Sequence, residues 1–213
     1  ILTFNKFIMH RKTLFSVSLV LLFLNVTVTS ASASKKYDIT RYGAVGDGIT
    51  MNTLAIQKTI DLCSENGGGT VVVPNGKFIT GAIYLKKGVN LYIAEGGMLK
   101  GSVSQSDYQQ ISTRWEGIER TWTSALINII DVDNVKIYGE GTIHGSGTEW
   151  PSFFRQGGAP RQQLSQAARD SIMRIPRLGK PRMICFQNCN NVQISGLKLR
   201  DQSVWGLHIL YCK

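Results

Sequence analysis

Few side chains in this 213-residue chain could do acid–base, nucleophilic or metal chemistry, and their spacing matters more than their number. There are three histidines. His10 lies in a basic-then-apolar leader, His144 closes the strand-like run Thr142-Ile143-His144, and His208 follows Trp205 by three residues in the last apolar segment. A serine or cysteine nucleophile needs a base to activate it, and no such pairing is visible. Asp201 is the one acid near His208. No second carboxylate falls within several residues of it, so the acid/base pair of a glycoside hydrolase is not evident either. Cys63, Cys185, Cys189 and Cys212 lack a second C-x-x-C and a nearby histidine pair, so no zinc is expected. Their disulfide connectivity is not readable from spacing. The loop Gly43–Gly48 has neither the Gly-Lys-Ser/Thr ending nor the spacing of a phosphate cradle. No catalytic residue, metal or cofactor is therefore expected in this chain.

What remains are groups suited to recognition. Arg182 can pair bidentately with a carboxylate, and Trp205 with His208 beside it can offer a flat face to a sugar ring. The competing reading packs Trp205 and His208 into the core. Between Arg155 and Arg182 stand Arg155, Arg161, Arg169, Arg174, Arg177, Lys180 and Arg182 against the single Asp170. Arg174 and Arg177 join the substrate-binding candidates. Such a run is either a solvated face or an arm over a cleft that holds a polyanion.

Residues 1–33 read as a leader. Met9 is the expected start, followed by His10-Arg11-Lys12, the apolar run Leu14 to Leu24 and the small-x-small triplet Ala31-Ser32-Ala33. The run is shorter than the ~20 residues of a membrane span, so cleavage rather than anchoring is expected. A secreted chain starting near Ser34 would keep a formal charge of +7, because Lys6, Arg11 and Lys12 leave the +10 total and no acid goes with them. Outside the cell an acidic polysaccharide is the expected partner, not nucleic acid, and no membrane contact is expected after cleavage.

The element that must position these groups is a repeated strand. Asn191-Val192-Gln193-Ile194-Ser195-Gly196 recurs as Asn134-Val135-Lys136-Ile137-Tyr138-Gly139 and, more loosely, as Asn90-Leu91-Tyr92-Ile93 with Gly96 following. Ile127, Ile129 and Asp131 likewise match Ile184, Phe186 and Asn188. A short strand repeated at intervals of 44 and 57 residues predicts a solenoid. Taking about 22 residues per coil, the copies stand two coils apart in a parallel β-helix, with the asparagines able to form amide ladders. The alternative, turn plus strand in a sandwich, requires antiparallel neighbours. Tyr37 to Tyr42 reads as a strand. Thr53 to Ser64 reads as a helix with Asn52 or Thr53 as N-cap, its Ile56, Ile60 and Cys63 face suited to closing the first coil. Pro74-Asn75-Gly76 is a coil corner, with a hairpin as the alternative. Residues 102–122 and 147–181 are excursions, the second with a helix over 162–173. The apolar run before Lys213 would leave an open coil edge, so a truncated solenoid is expected, a full-length form being monomeric.

Several of these stretches match a family together. Tyr42-Gly43-Ala44-Val45-Gly46-Asp47-Gly48, Asn52-Thr53-x-Ala55-Ile56-Gln57 and Gly67-Gly68-Gly69-Thr70-Val71-Val72-Val73-Pro74 resemble the opening of pectin-degrading β-helix enzymes. Thr80-Gly81-Ala82-Ile83-Tyr84-Leu85-Lys86, Gly139-Glu140-Gly141-Thr142-Ile143-His144-Gly145 and Lys180-Pro181-Arg182-Met183 narrow the likeness to glycoside hydrolase family 28, the polygalacturonases. Trp115-Glu116-Gly117-Ile118-Glu119 is similar to the exo-acting and rhamnogalacturonan-type members. The resemblance implies a right-handed, pectin-lyase-like parallel β-helix and an inverting, metal-independent hydrolase of α-1,4-galacturonosyl linkages. It also implies that the catalytic motifs Asn-Thr-Asp, Asp-Asp, Gly-His-Gly and Arg-Ile-Lys, absent here, follow Lys213, so that residues 34–213 alone are inactive. A calcium-dependent lyase of the same fold and a non-catalytic carbohydrate-binding β-helix are the alternatives.

Overall fold

The computed structural model describes residues 35–150 and 179–213. The leader, the expected helix over 162–173 and the basic residues Arg155 to Arg177 lie outside them. The chain winds in coils; the first contributes a strand to two of three parallel sheets, and each later coil contributes one strand to all three. The first turn holds β1 (Lys36–Asp38) and β2 (Asp47–Met51), then α1 (Thr53–Glu65). The second holds β3 (Gly69–Val73), β4 (Gly76–Thr80) and β5 (Ile83–Tyr84). The third holds β6 (Val89–Ile93), β7 (Gly97–Gly101), an added pair β8 (Gln110–Trp115) and β9 (Ile118–Thr123), then β10 (Ile127–Ile130). The fourth holds β11 (Val135–Gly139), β12 (Thr142–His144) and β13 (Ile184–Gln187), and the last β14 (Val192–Ser195), β15 (Lys198–Arg200) and β16 (Leu207–Leu210). The fold is a right-handed parallel β-helix, and no helix among the described residues is long and apolar enough to cross a membrane.

The repeat predicts the stacking but misjudges its interval. Val135 lies beside Val192 and Ile137 beside Ile194, and the upstream match places Ile127 beside Ile184 and Ile129 beside Phe186. These are neighbouring coils, not coils two apart, because each coil carries an excursion that lengthens it. The looser copy is also shifted: Leu91 lies beside Ile137, so Asn90 faces Lys136 and accepts from its backbone N–H at 2.8 Å. Between the last two full coils the corner polar groups pair in rungs. Asn191 Nδ2 donates to Asn134 Oδ1 at 2.8 Å, and Asn188 Nδ2 to Asp131 Oδ1 at 2.9 Å. All four residues have φ between 52° and 59°, a left-handed conformation that Asn and Asp tolerate better than other side-chain-bearing residues. The same residue type thus turns the corner and ties it to the next.

Alternation places one side of each strand inside. Val71, Leu91 and Ile137, then Phe78, Leu99 and Ile143, then Ile83, Ile127 and Ile184 form three buried columns. Pro74-Asn75 is a corner, since β3 and β4 belong to different sheets. Tyr37–Tyr42 is only partly a strand: after Asp38 the chain tightens into a 3-10 turn, Ile39–Tyr42, with Asp38 accepting from Thr40 N. Helix α1 closes the first end with Ile56, Ile60 and Cys63 fully buried. Its Gln57 also substitutes for a missing strand, the side-chain amide accepting from Tyr84 N at 2.8 Å and donating to Tyr84 O at 3.1 Å. That satisfies the edge of β5. The N-cap is Asn52, but its side chain bonds Val45 N and O instead of the helix. At the other end Leu207 and Ile209 occupy inward columns yet are 45% and 64% exposed.

Candidate functional site

In the third, fourth and last coils the segment from second sheet to third sheet leaves at the same corner, as residues 102–126, 145–183 and 201–206. All four tryptophans of the chain, Trp115, Trp122, Trp150 and Trp205, come from these segments. The first segment is more than a loop: β8 and β9 form an antiparallel hairpin with Trp115 opposite Ile118. Its turn, Glu116-Gly117, has φ of 48° and 83°, the positive pair that fits the twist of a two-residue hairpin loop. Sequence reasoning saw only the excursion, because Glu-Gly is a weak hairpin signal.

The hairpin lies over the outward side of β13 and β16. Gln187 Nε2 donates to Ser112 O at 3.5 Å, Arg114 Nη1 to Tyr211 Oη at 3.2 Å, and Tyr211 in turn donates to Glu119. This brings three indoles into one stack: Trp122 to Trp115 at 4.4 Å between centroids, Trp115 to Trp205 at 4.5 Å, their planes 17° and 15° apart. His208 continues it, 5.6 Å from Trp205. Trp205 is 41% exposed, so it belongs to the surface and not to the coil interior.

Beneath the stack Arg182 is completely buried. Nη1 lies 2.9 Å from His208 Nδ1, Nη2 donates to Thr123 O at 3.4 Å, and Nε has no partner among the described residues. Its guanidinium carbon is 5.8 Å from the Trp115 ring centre, a cation–π contact. No carboxylate pairs with it among the described residues. Arginine has only donors, so His208 Nδ1 accepts and the neutral ring carries its proton on Nε2. Burial, then the Arg182 charge, push His208 down to about 4, so it is uncharged at neutral pH. Cys185 Sγ, 3.4 Å from the same Nδ1, is pushed by burial up to about 11 and stays a thiol. Burial also lowers Arg182 from its ordinary value.

Arg182, Trp205 and His208 are therefore brought together, as a partly exposed aromatic stack with a neutral imidazole held from behind by a buried cation. Arg174 and Arg177 lie outside the described residues. Asp201 is not beside His208. It accepts from Thr148 N and Oγ1 and stands 3.9 Å from His144 Nε2, with Glu149 completing a group whose donor atoms lie within 4.8 Å. The sequence hid this group because Glu149 and Asp201 are far apart in the chain. Two contacts argue against a metal there. Ser146 N donates to His144 Nδ1 at 3.2 Å, which leaves the proton on Nε2, and Lys100 Nζ already neutralises Glu149 at 2.8 Å.

The family model of rhamnogalacturonase A/epimerase, pectate lyase-like proteins matches residues 37–158. The chain belongs to that family. Its relatives and structural neighbours are polygalacturonases of glycoside hydrolase family 28. An exo-poly-α-D-galacturonosidase of Dickeya chrysanthemi is 38% identical over 130 residues, 57% of this chain and 21% of that enzyme. The solved hyperthermoactive exopolygalacturonase of Thermotoga maritima matches with a TM-score of 0.69 at 27% identity, over 84% of this chain and 44% of that one. A Family 28 exopolygalacturonase of Yersinia enterocolitica gives 0.63 at 23% identity, over 84% and 37%, a likeness of fold. The chain spans less than half the length of each.

Proposed function

We propose that this chain is the N-terminal part of a secreted pectin-degrading glycoside hydrolase that cleaves α-1,4-galacturonosyl linkages with inversion, its mature form starting near Ser34. The observation that carries the reading is the corner stack: an exposed Trp205 beside a neutral His208, on the outward side of the third sheet and walled by the β8–β9 hairpin. The sugar meets the exposed edge of Trp205, and the His208 Nε2–H donates to a sugar oxygen. The wall formed by the hairpin favours action at chain ends. Arg182, sealed under Trp115, positions His208, and Arg174 and Arg177 remain proposed contacts for substrate carboxylates.

An inverting hydrolase needs one acid to protonate the leaving oxygen and another to activate water, about 6.5 to 9.5 Å apart. Glu149 and Asp201 are closer than that and are tied to Lys100 and Thr148, so they take no catalytic role in this reading. The acids belong to further coils, which the exposed Leu207 and Ile209 would stack against. Residues 34–213 alone then bind oligogalacturonate but release no reducing ends. Titration with oligogalacturonate and with a neutral gluco-oligosaccharide tests this. Binding restricted to the acidic sugar and weakened about tenfold by Trp205→Ala is expected. Hydrolysis abolished by Asp201→Asn would move the active site to the His144 group.

A further inference from the structure

All four cysteines are free thiols in the structure, yet two of them stand where a bond can form. Strands β13 and β16 run in register with Gln187 beside Leu210. The ladder continues past their ends, as Asn188 N donates to Leu210 O at 2.9 Å and Lys213 N to Cys189 O at 3.1 Å. Cys189 therefore stands beside Cys212. Neighbouring strands lie ~4.8 Å apart, within the roughly 4.4–6.8 Å Cα separation that disulfides span. Their thiols are spent on carbonyls, Cys189 on Ile129 O and Gln187 O, Cys212 on Leu210 O. Cys185 lies in register with His208 on the opposite side of β13, and Cys63 is on the buried face of α1 against Gly69.

We infer that Cys189 and Cys212 form a disulfide that clamps the last coil, with its Trp205 and His208, onto the coil carrying Arg182. The reaction is exchange with a small-molecule disulfide such as oxidised glutathione. The partly exposed Cys212, as thiolate, attacks one glutathione sulfur and releases one glutathione thiol. Cys189 gives up its proton, attacks the Cys212 sulfur and expels the second glutathione. Two protein thiols lose two protons and two electrons, and the oxidant leaves as two thiols. The bridge encloses all of β14, β15 and β16, so it lowers the conformational entropy the last coil gains on unfolding and stabilises that coil against its neighbour.

The test is incubation of the purified chain with oxidised glutathione, alkylation of remaining thiols and tryptic mapping. A linked pair of peptides 183–198 and 201–213 is expected, present in Cys185→Ser and lost in Cys212→Ser, with Cys63 and Cys185 alkylated. The oxidised wild type should melt about 5 °C or more above its reduced form, a shift that Cys212→Ser does not show. Four alkylated cysteines after oxidation, a bridge through Cys185 or Cys63, or a 189–212 bridge without effect on melting would each overturn the clamp. Mapping the wild type makes the outcome independent of whether a variant folds.

Discussion

Acidification from pH 7 to 4 should destabilise this protein through His208 before any carboxylate contributes. The ring faces the Arg182 guanidinium at 2.9 Å and the Cys185 thiol at 3.4 Å, with Trp205 stacked beside it. Burial, and secondarily the Arg182 charge, hold it at about 4 against an ordinary 6.5. A histidine depressed in the folded state stays neutral there while the unfolded chain takes up a proton. The stability present above 6.5 is therefore lost as pH falls through 4. That gap corresponds to ~3 kcal/mol, and partial exposure of the ring leaves about 2 kcal/mol as the expected loss. Asp47, held at about 2 by the backbone N–H groups of Thr50 and Ile49, loses its contribution only below an ordinary 3.8, so the two windows are separate. Urea unfolding followed by tryptophan fluorescence at pH 7, 6, 5 and 4 reads the effect directly, since the stack reports on the same corner. His208→Gln keeps an acceptor for Arg182 but cannot titrate, and its curve should stay about 2 kcal/mol flatter over this range. Superimposable slopes for wild type and His208→Gln would refute both the burial and the charge argument.

Two further outcomes test how the coils are held. Gln57→Leu removes both bonds to Tyr84 and leaves the β5 edge unpaired beside an apolar side chain, so a loss of about 1–3 kcal/mol in denaturant unfolding is expected; an unchanged midpoint would show that α1 closes the solenoid by packing alone. Gly139→Ala should fail to give folded protein, since φ is 126° and a Cβ would stand 2.1 Å from Ile93 O, whereas Gly117→Ala, at φ 83° with nothing within 4 Å, should fold at a cost of about 1–2 kcal/mol. Equal expression and melting of the two alanine variants would undo the close-packing argument.

The solenoid was legible because its signal is local. Each Asn-Val-x-Ile-x-Gly run states its own corner, strand and bend within six residues, and identical runs on adjacent coils can pair only in parallel. What the sequence could not state was the number of coils between the copies. Two coils of about 22 residues fit 44, and two with an insertion fit 57, but one coil carrying a long excursion fits either interval as well. The same locality limits the site. Arg182, Trp205 and His208 are close in sequence and could be grouped by eye. Their partners could not: Trp115 and Trp122 reach Trp205 only because a hairpin one coil earlier folds across the sheet. Nor could the roles be assigned. An arginine near a tryptophan reads as a surface carboxylate ligand, yet here the indole covers the guanidinium and turns it into the group that fixes a histidine tautomer. Stacking of coils converts distant sequence positions into neighbours at a fixed corner, so each added coil extends a recognition surface without disturbing the core beneath it. That is why a chain without a visible acid/base pair still assembles an ordered aromatic and cationic corner.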